Sequence, residues 1–272
     1  MILMADFGFE DINKCARYLE IDKYIGGLPD FAFKNKLTDE NVKLIGDVFS
    51  YISHIKRDSV IDTLLRLSRL PQKVPKTFEN FCFDRIYGPD KEKLESLSSL
   101  SAVYSGKNLA FIGPPGVGKT HLAMAFGTAC CKKEMKTYFL KASELNQRFT
   151  EARKYGREGA VVNGLVKPTC LIIDEVGHCN FDTGNTRLFF DMVDRRYSKD
   201  TPNCMIFTSN IVPGEWSRFF SSDQDLLCSL DRIFDDACVY SFRGTSYRGR
   251  KCETFNIEAG VRPPASDSTG IS

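Results

Sequence analysis

The residues Gly113-Pro114-Pro115-Gly116-Val117-Gly118-Lys119-Thr120 fill every fixed position of G-x-x-x-x-G-K-[ST]. A loop of this kind turns its backbone N–H groups inward as an anion nest. Its lysine reaches the β- and γ-phosphates of a nucleotide, and its hydroxyl faces Mg²⁺. The loop follows an apolar run, Asn108-Leu109-Ala110-Phe111-Ile112, and opens a helical stretch that begins at His121. A helix starting there points the positive end of its dipole at the phosphates. ATP and Mg²⁺ are the expected ligands. Residues 113–121, His121 included, should surround the nucleotide, with Thr120 on the metal.

Further downstream, Cys170-Leu171-Ile172-Ile173-Asp174-Glu175 is an apolar run closing on adjacent carboxylates. Asp174 is expected to hold Mg²⁺, usually through water, and Glu175 to polarise the attacking water. Strands often end in exposed acids, so the pair gains its meaning from the phosphate loop upstream. Met205-Ile206-Phe207-Thr208-Ser209-Asn210 ends in polar residues. Asn210 either orients the water beside the γ-phosphate or serves the turn before Pro213. Arg232, in Leu230-Asp231-Arg232-Ile233, lies at the end of the last predicted helix and faces away from its own nucleotide. It suits an arginine finger acting on a neighbouring subunit of a homo-oligomer; the alternative is a surface pair with Asp231. Arg248 is a nucleotide sensor, a DNA contact or part of a solvated basic run.

These residues need a scaffold, and the hydrophobic pattern supplies one. From residue 108 onward short β-rich runs alternate with helical ones, which predicts a parallel sheet with helices on both faces. The strands fall at 108–112, 137–141, 170–174, 204–208 and 238–242, and the helices at 119–133, 143–155, 184–198 and 223–236. Residues 1–70 read as a helical module. Val42, Ile45, Val48, Phe49, Ile52 and Ile55 recur at three- and four-residue steps after a cap at Thr38, until Pro71 stops the pattern. Residues 71–107 are a linker and a lead-in helix around 91–104, with Phe78–Phe83 packing on the next domain. The core runs over 108–255, and 256–272 read as a flexible tail.

Composition narrows the class. The 272 residues are 42% hydrophobic, enough for an ordinary core, and the formal charge of +2 leaves nucleic-acid contacts to local patches. The ten cysteines include no C-x-x-C pair, which argues against a usual zinc framework. Asp6, Glu10 and Asp11 stand where a secretory leader would be basic, and no apolar run is long enough to span a bilayer. A cytoplasmic protein with reduced thiols and no membrane contact is expected.

Five stretches occur together in a telling order: Gly113–Ala123, Leu171–Gly177, Thr208-Ser209-Asn210 with Glu215-Trp216, Leu230-Asp231-Arg232, and Arg243–Arg248. As a set they resemble the IstB/DnaC group of AAA+ ATPases, over roughly residues 76–252. The Glu-Trp pair leans towards the branch that assists transposition of insertion elements. The resemblance implies an AAA+ P-loop NTPase core, a five-stranded parallel sheet between helices without a C-terminal lid, preceded by a small N-terminal module. It implies Lys119 and Thr120 on nucleotide and Mg²⁺, Asp174 and Glu175 as the acidic motif, Asn210 as first sensor, Arg232 as arginine finger and Arg248 as a further sensor. It also implies DNA-stimulated ATP hydrolysis by an oligomer on double-stranded DNA, with a transposase as partner. The alternative partner is a replicative helicase, the protein then acting as its loader in DNA replication. Gly177-His178-Cys179-Asn180 and Ile211-Val212-Pro213-Gly214 depart from the group's usual wording. Arg148, Arg153, Lys154 and Arg157 form a candidate DNA surface, or else a solvated face with Glu151 and Glu158 interleaved.

Overall fold

Every second residue of the apolar runs points to the same side, and that alternation builds the core in two layers. The structure is a computed structural model. It describes the backbone at residues 5–221 and 225–244, and side chains at 8–221 and 230–244. Strands β1 (Asn108–Ile112), β2 (Thr137–Lys141), β3 (Cys170–Val176), β4 (Cys204–Ser209) and β5 (Ala237–Ser241) form one parallel sheet in the order β2-β3-β4-β1-β5. Ala110, Ile112, Leu171, Ile173, Met205 and Phe207 face one layer; Leu109, Phe111, Cys170, Ile172, Cys204 and Ile206 face the other.

The helices between strands are α7 (Lys119–Lys132), α8 (Ala142–Lys154), α9 (Glu158–Val166), α10 (Thr183–Tyr197) and α11 (Asp225–Phe234). Helix α7 packs on the Leu109/Phe111 layer; α8 to α11 cover the other. Helix α9 was not expected. Gly159, Gly164 and three valines make a poor helical signal, but Val162 and Leu165, one turn apart, are buried against the sheet.

Among the described residues, the N-terminal module consists of α1 (Ala5–Leu19), α2 (Asp22–Ile25), α3 (Leu28–Lys34) and the 29-residue α4 (Asp39–Leu67). Thr38 caps α4 as expected, in a reciprocal capping box with Asn41. One expectation needs correction. The lead-in helix over 91–104 is broken into α5 (Lys91–Glu95), a 3₁₀ turn at Ser96–Ser99 and α6 (Ser101–Tyr104), with Leu100 at φ 59°. Leu94, Leu97, Leu100 and Val103 recur every three residues and are all buried, the period of a 3₁₀ helix. Serine hydroxyls at 96 and 98 bond backward to Lys93 and Glu95 carbonyls and loosen the α-helical ladder. The apolar face of α4 is only half used. Val42 is buried against α1, whereas Val48, Ile52 and Ile55 are exposed.

No described helix is long and apolar enough to cross a membrane.

Candidate nucleotide site

The phosphate loop leaves β1 and turns directly into α7. Gly113 N–H donates to the Ser209 carbonyl (3.1 Å), tying the loop to β4. Two of its glycines are required by what crosses them. At Gly113 (φ +146°) a Cβ would stand 2.4 Å from the Phe242 carbonyl oxygen, because the chain leaving β5 runs over the loop. At Gly118 (φ +102°) it would stand 2.7 Å from the Phe81 ring. That ring belongs to the predicted packing segment, which indeed lies on α7.

Strand β4 sits between β1 and β3, so the ends of all three converge. Lys119 is 7% exposed, and its ammonium bonds the carbonyls of Gly113 (2.7 Å) and Pro114 (2.8 Å) and Oδ1 of Asn210 (2.8 Å). The Thr120 hydroxyl donates to Oδ1 of the buried Asp174 (2.8 Å), which also accepts from the Thr208 hydroxyl. Lys119, Thr120, Asp174 and Asn210 are thus brought together from three elements. A hydroxyl beside a buried carboxylate is a hard-oxygen donor pair of the kind Mg²⁺ takes, and the adjacent ammonium suits an anionic ligand. The residues present therefore fit Mg²⁺ and a nucleotide.

Glu175 is placed by a feature no sequence pattern announced. The β3–β4 register shifts between Ile173 and Val176, and Glu175 takes φ +60°. This extra residue is a bulge, a device that re-aims a side chain beside a site. Thr208 holds it: its Oγ1 accepts from Glu175 N–H (3.0 Å) while donating to Asp174. The Glu175 carboxylate then meets Lys141, the last residue of β2, at 2.9 Å. That bond and the charge behind it hold the Lys141 ammonium above the ordinary lysine range. Asn210 also approaches His178, Nδ2 to Nε2 at 3.3 Å. Trp216, fully buried, donates its indole N–H to the Ile211 carbonyl and fixes the loop after Asn210.

Sequence reasoning missed Lys141, Thr208 and His178. It also missed a cavity of about 780 Å³ beside Val117, lined by Ile86, Tyr87, Tyr240, Phe242 and Arg243.

Other predicted residues lie elsewhere. His121 turns away from the loop: its Nε2 meets the Thr77 carbonyl at 3.0 Å and its ring meets Phe81 edge-on. Burial lowers its pKa. Arg232, on α11, pairs with Asp194 of α10. The neighbouring Ile233 carbonyl accepts from Asn108, the first residue of β1, so Arg232 lies at the sheet edge opposite the phosphate loop. Arg153 bonds both Asp182 oxygens (2.7 and 2.8 Å) and Asn185, bracing the start of α10. The Asn185 N–H, then Arg153, hold Asp182 below the usual carboxylate range. Arg148 bonds the Tyr138 hydroxyl, and Arg148 and Arg157 line a groove of about 500 Å³ between α8 and α9. Lys154 is exposed at the end of α8. Arg248 falls outside the described residues.

Fold and site together define a P-loop nucleotide-binding protein of the AAA+ type. A family model described as IstB-like ATP binding protein matches residues 37–254, and the chain belongs to that family. It is 35% identical over 196 residues to an ATP-binding protein of insertion sequence IS5376 from Geobacillus stearothermophilus, covering 72% of this chain and 76% of that one. It is 30% identical over 243 residues to the corresponding protein of IS232 from Bacillus thuringiensis subsp. berliner, covering 88% and 94%. Among solved structures, AMPPCP-bound DnaA from Aquifex aeolicus matches with a TM-score of 0.52 and 21% identity, over 64% of this chain and 51% of that chain. DnaI matches at 0.52 and 19%, over 66% and 95%. Both are likenesses of fold.

Proposed function

We propose that this protein is an Mg²⁺-dependent ATPase that assembles as a homo-oligomer on double-stranded DNA and recruits or activates a transposase, acting in the cytoplasm. The observation that carries the catalytic half is the bonded set Lys119–Asn210 and Thr120–Asp174–Thr208, with Glu175 re-aimed by its bulge beside it. Lys119 exchanges its loop carbonyls for the β- and γ-phosphate oxygens, and Thr120 and Asp174 hold the metal. Mg²⁺ held by Thr120 and Asp174 would supply neutralisation of the phosphate charge. Asn210 orients a water; Glu175 takes its proton as the water oxygen attacks the γ-phosphorus and ADP leaves. The cavity beside Val117 receives the base between Ile86, Tyr87 and Phe242.

Arg232 supports an oligomeric enzyme. Its position at the far end of the sheet, about 15 Å of strand from the loop, keeps it from its own nucleotide; to reach a neighbour's it would exchange its contact with Asp194. DNA is held by Arg148, Lys154 and Arg157; Arg153 positions α10 instead. The transposase is favoured by the relatives, which are insertion-sequence proteins by name. Likeness of fold to DnaA and DnaI favours no helicase.

The test mixes Arg232→Ala with Lys119→Ala. Each alone should lose turnover, and mixed assemblies should regain part of it, because an intact finger meets an intact loop. No recovery at any ratio, from variants that still assemble, would refute the shared site. Pull-downs against the transposase of the same element and against replicative helicase separate the two partners.

A further inference from the structure

Helix α4 carries an apolar stripe that nothing described covers. Leu44, Val48, Tyr51 and Ile55 follow at steps of four, three and four residues, with Ile52 beside them, and are 62%, 48%, 67%, 54% and 45% exposed respectively. This is two heptads of the spacing by which one helix seats another. Helix α1 does not use it. The line of α4 that meets α1 runs through Val42 and Gly46, close to Gly8 and Ile12.

The stripe has a charged border. At 100° per residue, Glu40, Asp47 and Asp58 line one side, and Asp62 extends the row beyond Ile55. All four are exposed, and none has an ion-pair partner among the described residues. This border discriminates among occupants. DNA is repelled by it. A second copy of α4 is also disfavoured: antiparallel pairing brings Glu40 near Asp62, parallel pairing brings each acid to itself, and like charges flanking a helix seam are destabilising.

We propose that the α4 stripe is the docking surface for an amphipathic helix of a partner protein, with an apolar seam flanked by lysine or arginine. The proposal rests on the reading that the protein recruits a partner protein, and it places that recruitment on α4. Aliphatic anchors supply affinity, and the acidic border selects basic flanks and sets orientation.

The experiment uses the full chain and two probes. One is a synthetic helical peptide of three heptads with leucine at the seam and lysine on both flanks, compared with its glutamate-flanked counterpart by fluorescence anisotropy. The other is the purified transposase of the same element. The lysine peptide should bind at least about tenfold tighter than the glutamate peptide. Ile52→Asp/Ile55→Asp should abolish binding, and Asp58→Lys/Asp62→Lys should weaken it about tenfold, both with ATP turnover and helix content unchanged. Transposase capture should fall in parallel. Equal binding of both peptides, binding indifferent to either variant, or transposase capture that survives Ile52→Asp/Ile55→Asp would overturn the proposal. So would a dimer in solution, or duplex-DNA affinity, lost with that same variant. If wild-type protein binds the lysine peptide through the stripe but never captures transposase, the recruitment reading fails while the docking surface stands.

Discussion

Lys141 holds the carboxylate that the proposed mechanism needs, and replacing it with alanine should accelerate basal ATP hydrolysis. The ammonium lies 2.9 Å from Glu175. At that separation the attraction is about 1.4 kcal/mol in water and larger near a protein surface. The two side chains are 46% and 39% exposed, so screening and side-chain entropy reduce the net tether to about 0.5–1 kcal/mol. Releasing it should raise the turnover of DNA-free protein about two- to fivefold. Ionic strength separates this from an indirect effect: wild-type turnover should climb towards the variant's between about 50 and 500 mM salt as the pair is screened, while Lys141→Ala stays flat. Proton concentration should not. The pair raises the lysine pKa, so the contact is fully formed below the ordinary lysine range and lost only as pH passes above it. A coupled ATPase assay at saturating ATP, with Glu175→Gln as the inactive control, measures both dependences. A Lys141→Ala enzyme no faster than wild type at low salt, or one sharing its salt profile, would refute the tether.

Three further outcomes follow from the same geometry. Lys119→Ala should lose nucleotide affinity, whereas Glu175→Gln should keep it and lose turnover by at least about a hundredfold; a labelled ATP analogue titrated into each variant tells the two apart. Arg196→Leu should lower the melting temperature by about 10 °C, from a loss of about 3 kcal/mol or more. That guanidinium, fully buried, bonds the carbonyls of Leu165, Pro168 and Cys204 and the Asn203 side chain, and the variant leaves them unpaired; an unshifted melt would remove it from the core's supports. Burial, then Arg196, lowers the Lys199 pKa to about 8. The unfolded chain therefore binds more protons between about pH 8 and the ordinary lysine pKa, and wild type should gain stability relative to Lys199→Gln as pH rises through that window. Parallel urea midpoints for the two proteins at pH 7 and 10 would contradict it.

The sheet was legible because its strands are apolar, short and separated by amphipathic helices, and each lies within two residues of its expected place. The phosphate loop and Asp174-Glu175 were legible because their chemistry demands fixed spacing. What escaped was set by pairing between distant segments. The bulge at Glu175 exists because Thr208 of β4 caps its N–H, and Lys141 reaches the site because β2 registers Lys141 against Asp174. A local pattern carries neither fact. The side-chain partners of Arg153 and His121 were hidden for the same reason: a basic residue on a helix end and a histidine after a P-loop read alike whether their side chains meet a ligand or, as here, Asp182 and Thr77.

Two rigid paths join the N-terminal helices to the site. Helix α7 starts at Lys119 and runs about 20 Å to Glu134, which accepts from the Tyr18 hydroxyl of α1 and from Arg57 of α4 at 2.9 Å each. Strand β2 starts beside the exit of α4, where Phe139 N–H donates to the Ser68 carbonyl (2.8 Å), and ends two residues later at Lys141. The bonds at Glu134 are polar and partly exposed, each worth little, while Leu64 and Leu65 of α4 pack on the apolar layer of the sheet and tie the end of α4 to it. If the partner helix proposed for α4 displaces it, these contacts would carry the displacement to the segment that holds Glu175. Linkage makes such coupling reciprocal: whatever free energy partner binding contributes to freeing Glu175, the state with Glu175 freed returns as tighter partner binding.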